Sequence, residues 1–286
     1  EFPALQGTMG KYYALQSNET AEVARAIEEQ YMPRQAGASL PETETGRIIA
    51  IADKLDTLIG IFAIGQTPTG EKDPYGLRRS ALGCLRIMIE CQLDLDLKTC
   101  LIFSAGTFDK KIKADTVTDS VFDFMMERLQ KYYSDSGVTV DIFESVLQCR
   151  PTRPYDFHQR VKAVSDFTDL PEAESLAAAN KRIHNILRQA GCEITPAIDG
   201  SLSVEDAEKD LVKKLNDVTR KVEPLTRGGN YTEALKELSG LRDSIDNFFD
   251  NVMVMVEDDN LRIARLQLLA TIRHEFTQIA DISRLQ

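Results

Sequence analysis

Paired cysteines are missing from this sequence. It has five, an odd number, at Cys84, Cys91, Cys100, Cys149 and Cys192, and none is spaced as C-x-x-C. That excludes a disulfide framework and a paired-cysteine zinc site, and reads as the reduced thiols of a cytoplasmic protein. Histidine is as sparse: His158, His184 and His274 stand far apart, with no H-x-x-x-H spacing to assemble a metal site. There is no G-x-x-x-x-G-K-S/T phosphate loop and no Ser/His/Asp or Cys/His spacing that argues for a nucleophile. No apolar run approaches the roughly 18–20 residues of a membrane span, and no signal peptide is visible. Bases are in deficit, 34 Lys and Arg against 45 Asp and Glu, a net charge of −11. A chain so acidic is not a generic nucleic-acid coat. A local basic face on an acidic body remains open to it, with weak non-specific binding.

What is present is helix. The 286 residues are 43% apolar, enough for one large or two ordinary domains. The clearest stretch is Arg47–Glu90, read as helix, loop, helix. Ile48, Ile51, Ala52, Leu55, Leu58 and Ile59 recur at three- and four-residue spacing as one buried face. Gly65, Pro68, Gly70 and Pro74 break the chain. Leu77, Ala81, Leu85, Met88 and Ile89 then face inward from a second helix. Residues 1–46 read as a turn-rich start (Pro3, Gly7, Gly10), a short acidic helix over Thr20–Tyr31 and a solvated acidic face. Residues 91–114 read as a connector. Thr118–Asp135 is a helix with Val121, Phe122, Met125, Leu129 and Tyr132 inward, and Asp141-x-x-Glu144 resembles a capping box for a short one.

Arg150–Pro154 (RPTRP) marks a boundary, since two prolines in five residues disfavour helix. We therefore expect domains at 1–150 and 151–286, in an all-α protein. Further helices are expected from Glu172 to Arg188 and from a Ser203-x-x-Asp206 cap to Val222, ended by Pro224 and Gly228-Gly229. Another is expected over Tyr231–Phe249, and a last one opens at Asp258–Asp259 with Leu261, Ala264, Leu268, Ile272 and Ile279 inward. Together they make a helical bundle.

Between residues 147 and 190 seven bases face five acids, a net of +2 inside the acidic chain. Arg150, Arg153, Arg160, Lys162, Lys181 and Arg182 are the candidate RNA contacts of this segment. A favourable helix dipole explains Lys181 and Arg182 equally well. Lys72, Arg78 and Arg79, at the tip and opening of the second hairpin helix, could hold a phosphate at a helix N-terminus. Ion pairing of either arginine with Asp53, Asp56 or Asp73 is the simpler alternative. Asp53 and Asp56 share a helix face and form a possible acidic site. A structural role suits them better than metal binding, and no catalytic residue is expected.

The segment ADKLDTLIGIFAIGQTPTGEKDPYGLRRSALG resembles the signature of the β subunit of bacterial two-subunit glycyl-tRNA synthetases. EFPALQGTMG, RPTRPYDFHQRVKAV, AAANKRIHNIL, NYTEALKELSGLRDSIDNFFDNVMVMVEDDNLRIARLQLL and IADIS are similar to the same family. The likeness spans the chain as the C-terminal portion of a longer protein, and the opening residues read as a fragment. The resemblance implies an HD-like helical domain followed by a bundle similar to the anticodon-binding domains of class I synthetases. It implies a tRNA(Gly)-binding subunit of an ATP-dependent ligase, partnered by an α subunit in an α2β2 assembly. ATP and magnesium would belong to the α subunit, with no cofactor in this chain and no activity in the fragment alone. Gly76 and Ala264 depart from the pattern, where a larger residue and an asparagine are expected. The acidic run at 242–260 cannot itself face phosphate. An HD-type metal phosphohydrolase fused to a helical module, and a non-catalytic scaffold, are the alternatives that the residues alone leave open.

Overall fold

A computed structural model describes residues 2, 5–191, 194–198 and 204–285. Pro3, Cys192 and Ser203 lie outside them. The described chain is all-α. It has thirteen α-helices, no strand, and one isolated bridge between Thr69 and Lys72. No helix among the described residues is long and apolar enough to cross a membrane. Two compact units emerge, one of residues 1–136 with 152–155, the other of residues 137–151 with 156–286.

The first unit holds α1 (Thr8–Gln16), α2 (Ala21–Glu29), α3 (Glu44–Ala63), α4 (Leu77–Glu90), α5 (Leu97–Ala105) and α6 (Thr118–Asp135). The α3–α4 hairpin is at its centre. On α4 the expected inward residues are all buried. On α3 the buried stripe is rotated: Ala50, Ile51, Lys54, Leu55, Leu58, Ile59 and Phe62 are buried, while Ile48 is 61% exposed and Ala52 is exposed. The rotation places a lysine in the core. Lys54 Nζ donates to the carbonyls of Met32 (2.7 Å), Gln30 (3.3 Å) and Ala50 (3.3 Å). Those carbonyls replace the water that a buried ammonium needs, and burial pushes the Lys54 pKa down.

Other expectations are corrected in this unit. Residues 8–16 form a helix with Gly10 inside it. The connector contains α5, capped by Asp96, whose carboxylate accepts from Thr99 N–H at 2.8 Å. It is short and its apolar residues point all round, with Ile102 and Phe103 in solvent, so no period shows. On α6, Val121, Phe122, Met125 and Leu129 are buried as expected, but toward its end Tyr133 is buried and Tyr132 only half-buried. The acidic face is not wholly solvated. Glu29 is 2% exposed and accepts from Arg25 Nε (3.0 Å), Thr43 N–H (3.1 Å), Glu42 N–H (3.2 Å) and the Thr43 hydroxyl. Gly76 suits its place. Its φ is +66°, and a Cβ there would lie 2.7 Å from an Arg79 nitrogen.

The second unit holds α7 (Val140–Leu147), most of α8 (Pro154–Thr168), α9 (Ala173–Gln189), α10 (Asp206–Arg227), α11 (Tyr231–Ser239), α12 (Arg242–Asn251) and α13 (Asp259–Thr277). The cap of α7 is Thr139, with no side-chain cap bond, so the Asp141–Glu144 box is not formed. Ala207, Leu211, Leu215, Val218 and Val222 are buried on α10 as expected, but Pro224 lies inside that helix, which continues to Arg227. Tyr231–Phe249 is two helices, broken near Gly240. On α13, Leu268 and Ile272 are buried, whereas Leu261 and Ala264 are half-buried. Arg265 is also buried. It pairs with buried Glu208 of α10 at 3.3 Å and donates to the Met253 carbonyl at 2.7 Å. Glu208 in turn accepts from Val204 N–H at 3.1 Å.

Two measurements check this account. Removing one partner of a buried ion pair strands the other, so Arg265→Met should cost about 3–5 kcal/mol in urea unfolding. Arg265→Met with Glu208→Leu should recover much of that loss; an equal loss in both variants would contradict the ion-pair assignment. Burial alone would raise the Glu29 pKa, but the hydrogen bonds from Thr43, Glu42 and Arg25 win and hold it below the ordinary carboxylate range. Its stabilisation is therefore present above the unfolded-chain pKa and lost as pH falls through the lower, folded one. Glu29→Gln should destabilise by about 1.5–3 kcal/mol at neutral pH and flatten the fall in melting temperature on acidification. A melting curve with unchanged acid dependence would remove Glu29 from that role.

Candidate nucleic-acid interface

Helix α9 buries Leu176, Ala177, Ala179, Asn180 and Ile183. The opposite face puts Lys181, Arg182 and Arg188 in solvent. Arg182 does not hang free. Its guanidinium carbon lies 4.1 Å from the centroid of the Phe249 ring on α12. Phe249 meets Phe248 edge-on at 5.6 Å, and Phe248 is fully buried. A core aromatic thus supports a surface aromatic, which supports a guanidinium. A cation over a ring at this distance is held by the ring quadrupole. Arg182 is exposed, and no carboxylate pairs with it among the described residues. The nearby Asp246 is engaged elsewhere, by the Ser175 hydroxyl at 3.2 Å and by Arg242 at 3.7 Å.

The other candidates of the 147–190 segment are dispersed. Lys162 is exposed on α8. Arg160 on the same helix is an internal tether. It pairs with Asp156 at 2.7 Å and donates to the carbonyls of Gln278 (2.6 Å) and Ile279 (3.2 Å) and to the Tyr231 hydroxyl (3.1 Å). Its charge also lies 4.7 Å from the Tyr231 ring. Burial and the bond to Asp156 push the Tyr231 phenol up to about 12. Arg153 belongs to the first unit, where it pairs with Asp94. Arg150 has a left-handed backbone, φ +48°, and is itself engaged.

At the hairpin tip the expected phosphate cradle is filled by the protein. The Asp73 carboxylate accepts from Leu77 N–H (2.8 Å) and Arg78 N–H (3.0 Å) at the start of α4. An anion already occupies the position that phosphate would take. Arg78 donates to the Gly70 carbonyl at 2.6 Å, and Lys72 and Arg79 are exposed. Asp53 and Asp56 are both exposed on α3. No group of three or more His, Cys, Asp or Glu residues among the described ones is placed to hold a metal. His184 Nδ1 accepts from Arg273 at 2.5 Å, and Arg273 pairs with Asp281 at 3.1 Å; burial and then Arg273 push the His184 pKa down.

Sequence reasoning missed a groove of about 940 Å³ between α10 and α11, lined by Lys214, Arg220, Lys221 and Lys236 with Asp217, Glu233 and Glu237. Two basic pairs seven residues apart were its signal. Half of its cations are neutralised in place, Lys221 by Glu237 at 3.0 Å and Arg220 by Asp217 at 3.8 Å.

Comparison with known proteins accounts for both units. A family profile described as "Glycyl-tRNA synthetase beta subunit" matches residues 1–148. A second, described as "DALR anticodon binding domain", matches residues 176–282, which include most of α9 and all of α10 to α13. Glycine–tRNA ligase beta subunits are similar over 100% of this chain: that of Colwellia psychrerythraea is 50% identical, that of Pseudomonas aeruginosa 50% and that of Hahella chejuensis 49%. The chain spans 42%, 42% and 41% of the length of those relatives. With half of its length matched by the first profile and the rest aligned to the same relatives, the chain belongs to the glycyl-tRNA synthetase beta subunit family.

Proposed function

We propose that this chain holds tRNA(Gly) for a glycine–tRNA ligase, with α9 and α12 addressing the anticodon loop. The observation that carries this reading is the α9 face. Within the unit matched as an anticodon-binding domain, it presents cations that no acid pairs, one of them, Arg182, seated over the Phe249 ring. Unstacked RNA bases are recognised by stacking on aromatic rings or guanidinium planes and by bonds to their edges. Lys181 and Arg188 flank the plane and suit phosphates. Lys162 is a further candidate, and exposed Lys72 and Arg79 are candidates for backbone contact from the first unit. Arg150, Arg153, Arg160 and Arg78 shape the protein instead.

Glycine activation with ATP and magnesium belongs, in this reading, to a separate α subunit, the two subunits forming an α2β2 assembly in the cytoplasm. Asp53 and Asp56, two exposed carboxylates of the first unit, are read as structural rather than metal-binding. The experiment is glycylation of tRNA(Gly) by the complete assembly with Lys181→Ala/Arg182→Ala in the β subunit. The expected result is a rise in the KM for tRNA of roughly tenfold or more, the scale of losing one stacked base, with kcat for ATP-dependent glycine activation unchanged. Discrimination against a tRNA with an altered anticodon should shrink. An unchanged KM and unchanged discrimination would overturn the placement.

A further inference from the structure

The buried stripe of α9 ends at Ile183. From His184 to Gln189 no side chain of the helix is fully buried, so its last turn and a half leans on polar ties. The tie in place runs through the C-terminal turn. Asp281 is 6% exposed and caps the 3-10 turn Ile282–Arg284. Its N–H donates to the Ser145 carbonyl of α7 at 2.8 Å. Its carboxylate accepts from the Ser283 hydroxyl at 2.6 Å and from Arg273 of α13 at 3.1 Å. A second nitrogen of the same Arg273 donates to Nδ1 of His184 at 2.5 Å. One guanidinium thus joins α13, the C-terminal turn and the end of α9.

A guanidinium keeps its protons, so His184 has to supply the lone pair. An imidazole does so only when neutral, because the imidazolium is a donor at both nitrogens. The surroundings oppose a charge on the ring. Arg188 of α9, Arg273 of α13 and Arg284 of the turn face it, against one anion, Asp281, which is already bonded to Arg273 and Ser283. Beyond α7, Cys149 faces Asp281 and Arg273, and burial pushes its thiol up, so it stays protonated. Helix α12 also packs on α9, but its Asp246 meets Ser175, more than two turns before His184. We propose that His184 is a proton-sensitive positioning residue: neutral, it ties the end of α9, with Arg188, to the C-terminal turn, and protonated, it lets that end go. The contacts stand by themselves and do not require the anticodon reading. Burial and then Arg273 hold the His184 pKa below its ordinary value, so the unfolded chain takes the proton first. The stabilisation is whole above the unfolded-chain pKa and is lost as pH falls from there through the lower, folded one.

The test compares the chain with His184→Asn, whose side-chain oxygen accepts but does not titrate, and with His184→Leu, which removes the acceptor. By nitrogen NMR of the parent, Nδ1 of His184 should be the unprotonated nitrogen at neutral pH, and the ring should titrate below the ordinary histidine range. Amide exchange over residues 185–189, corrected for its intrinsic pH dependence, should quicken in the parent as that ring takes its proton. It should be quick already at neutral pH in His184→Leu and stay slow throughout in His184→Asn. His184→Leu should lower the unfolding temperature at neutral pH by about 2–4 °C, the scale of one net hydrogen bond, and His184→Asn should stay near the parent. Three results overturn the proposal: a proton on Nδ1 at neutral pH, the same acid dependence of exchange in the parent and His184→Leu, or equal losses in the two variants. The NMR result on the parent decides alone if His184→Leu does not fold.

Discussion

The ends of helices set the terms for this protein. Each helix leaves N–H groups unpaired at its start and carbonyls unpaired at its end, and burial turns each into a cost. Thirteen helices among the described residues have many such ends. Here charged side chains reach in from elsewhere to meet them. Glu29, closing α2, receives the N–H groups of Glu42 and Thr43 just before α3. Lys54, from the middle of α3, receives the carbonyls of Gln30 and Met32 just after α2. The two residues clasp the same connection from its two ends. In the second unit Arg160 takes the carbonyls of Gln278 and Ile279 beyond α13, and Arg265 takes that of Met253 beyond α12. Hydrogen bonds to ions are stronger than neutral ones, and leaving the ion unmet is costly. Such ties fix loops that hydrophobic contact alone would leave loose.

That device also marks the limit of what sequence patterning reveals. Long helices with a clean stripe, α6 and α10, are legible because their apolar residues repeat every three or four positions against a polar background. The stripe on α3 is misplaced because Lys54 reads as a surface residue, and only Met32 and Gln30, more than twenty residues away, make it an interior one. Helix α5 is illegible for the opposite reason: Leu97, Leu101 and Ala105 are buried while Ile102 and Phe103 are in solvent, so the apolar pattern has no side. The break between α11 and α12 is local and small, Gly240 and Leu241 between two helices whose stripes stay in phase. The family likeness carries the functional reading further than periodicity does, and the positions of α9's cations follow directly from helix geometry.

The candidate site shows the same division. Lys181 and Arg182 can be placed on a solvent face from spacing alone. Whether a cation is available is a different matter, because it depends on which carbonyls and carboxylates the fold brings near. Arg160 and Arg182 are indistinguishable as letters in a basic segment. One has its nitrogens spent on Asp156, Tyr231 and two backbone carbonyls. The other is placed on a ring with no acid partner. A guanidinium already in four contacts cannot turn toward a phosphate without stranding those groups. Counting charges in a window therefore overstates a binding surface, and the surplus is what the fold leaves unused.

An acidic body with a few unused cations has a consequence for specificity. Affinity from phosphate contacts is indifferent to sequence and grows with the number of contacts. A net charge of −11 opposes that term everywhere except at the small uncommitted faces. Stacking falls off within contact distance and requires an unpaired base, so it adds only where an RNA presents one in the right place. Lowering the general attraction while keeping a supported stacking plane raises the ratio of specific to non-specific binding, even if total affinity falls. On the proposed reading, in which one class of RNA has to be found among many, that ratio matters more than affinity. On that reading the repulsive charge on the rest of the surface contributes to recognition as directly as the proposed contact of Arg182.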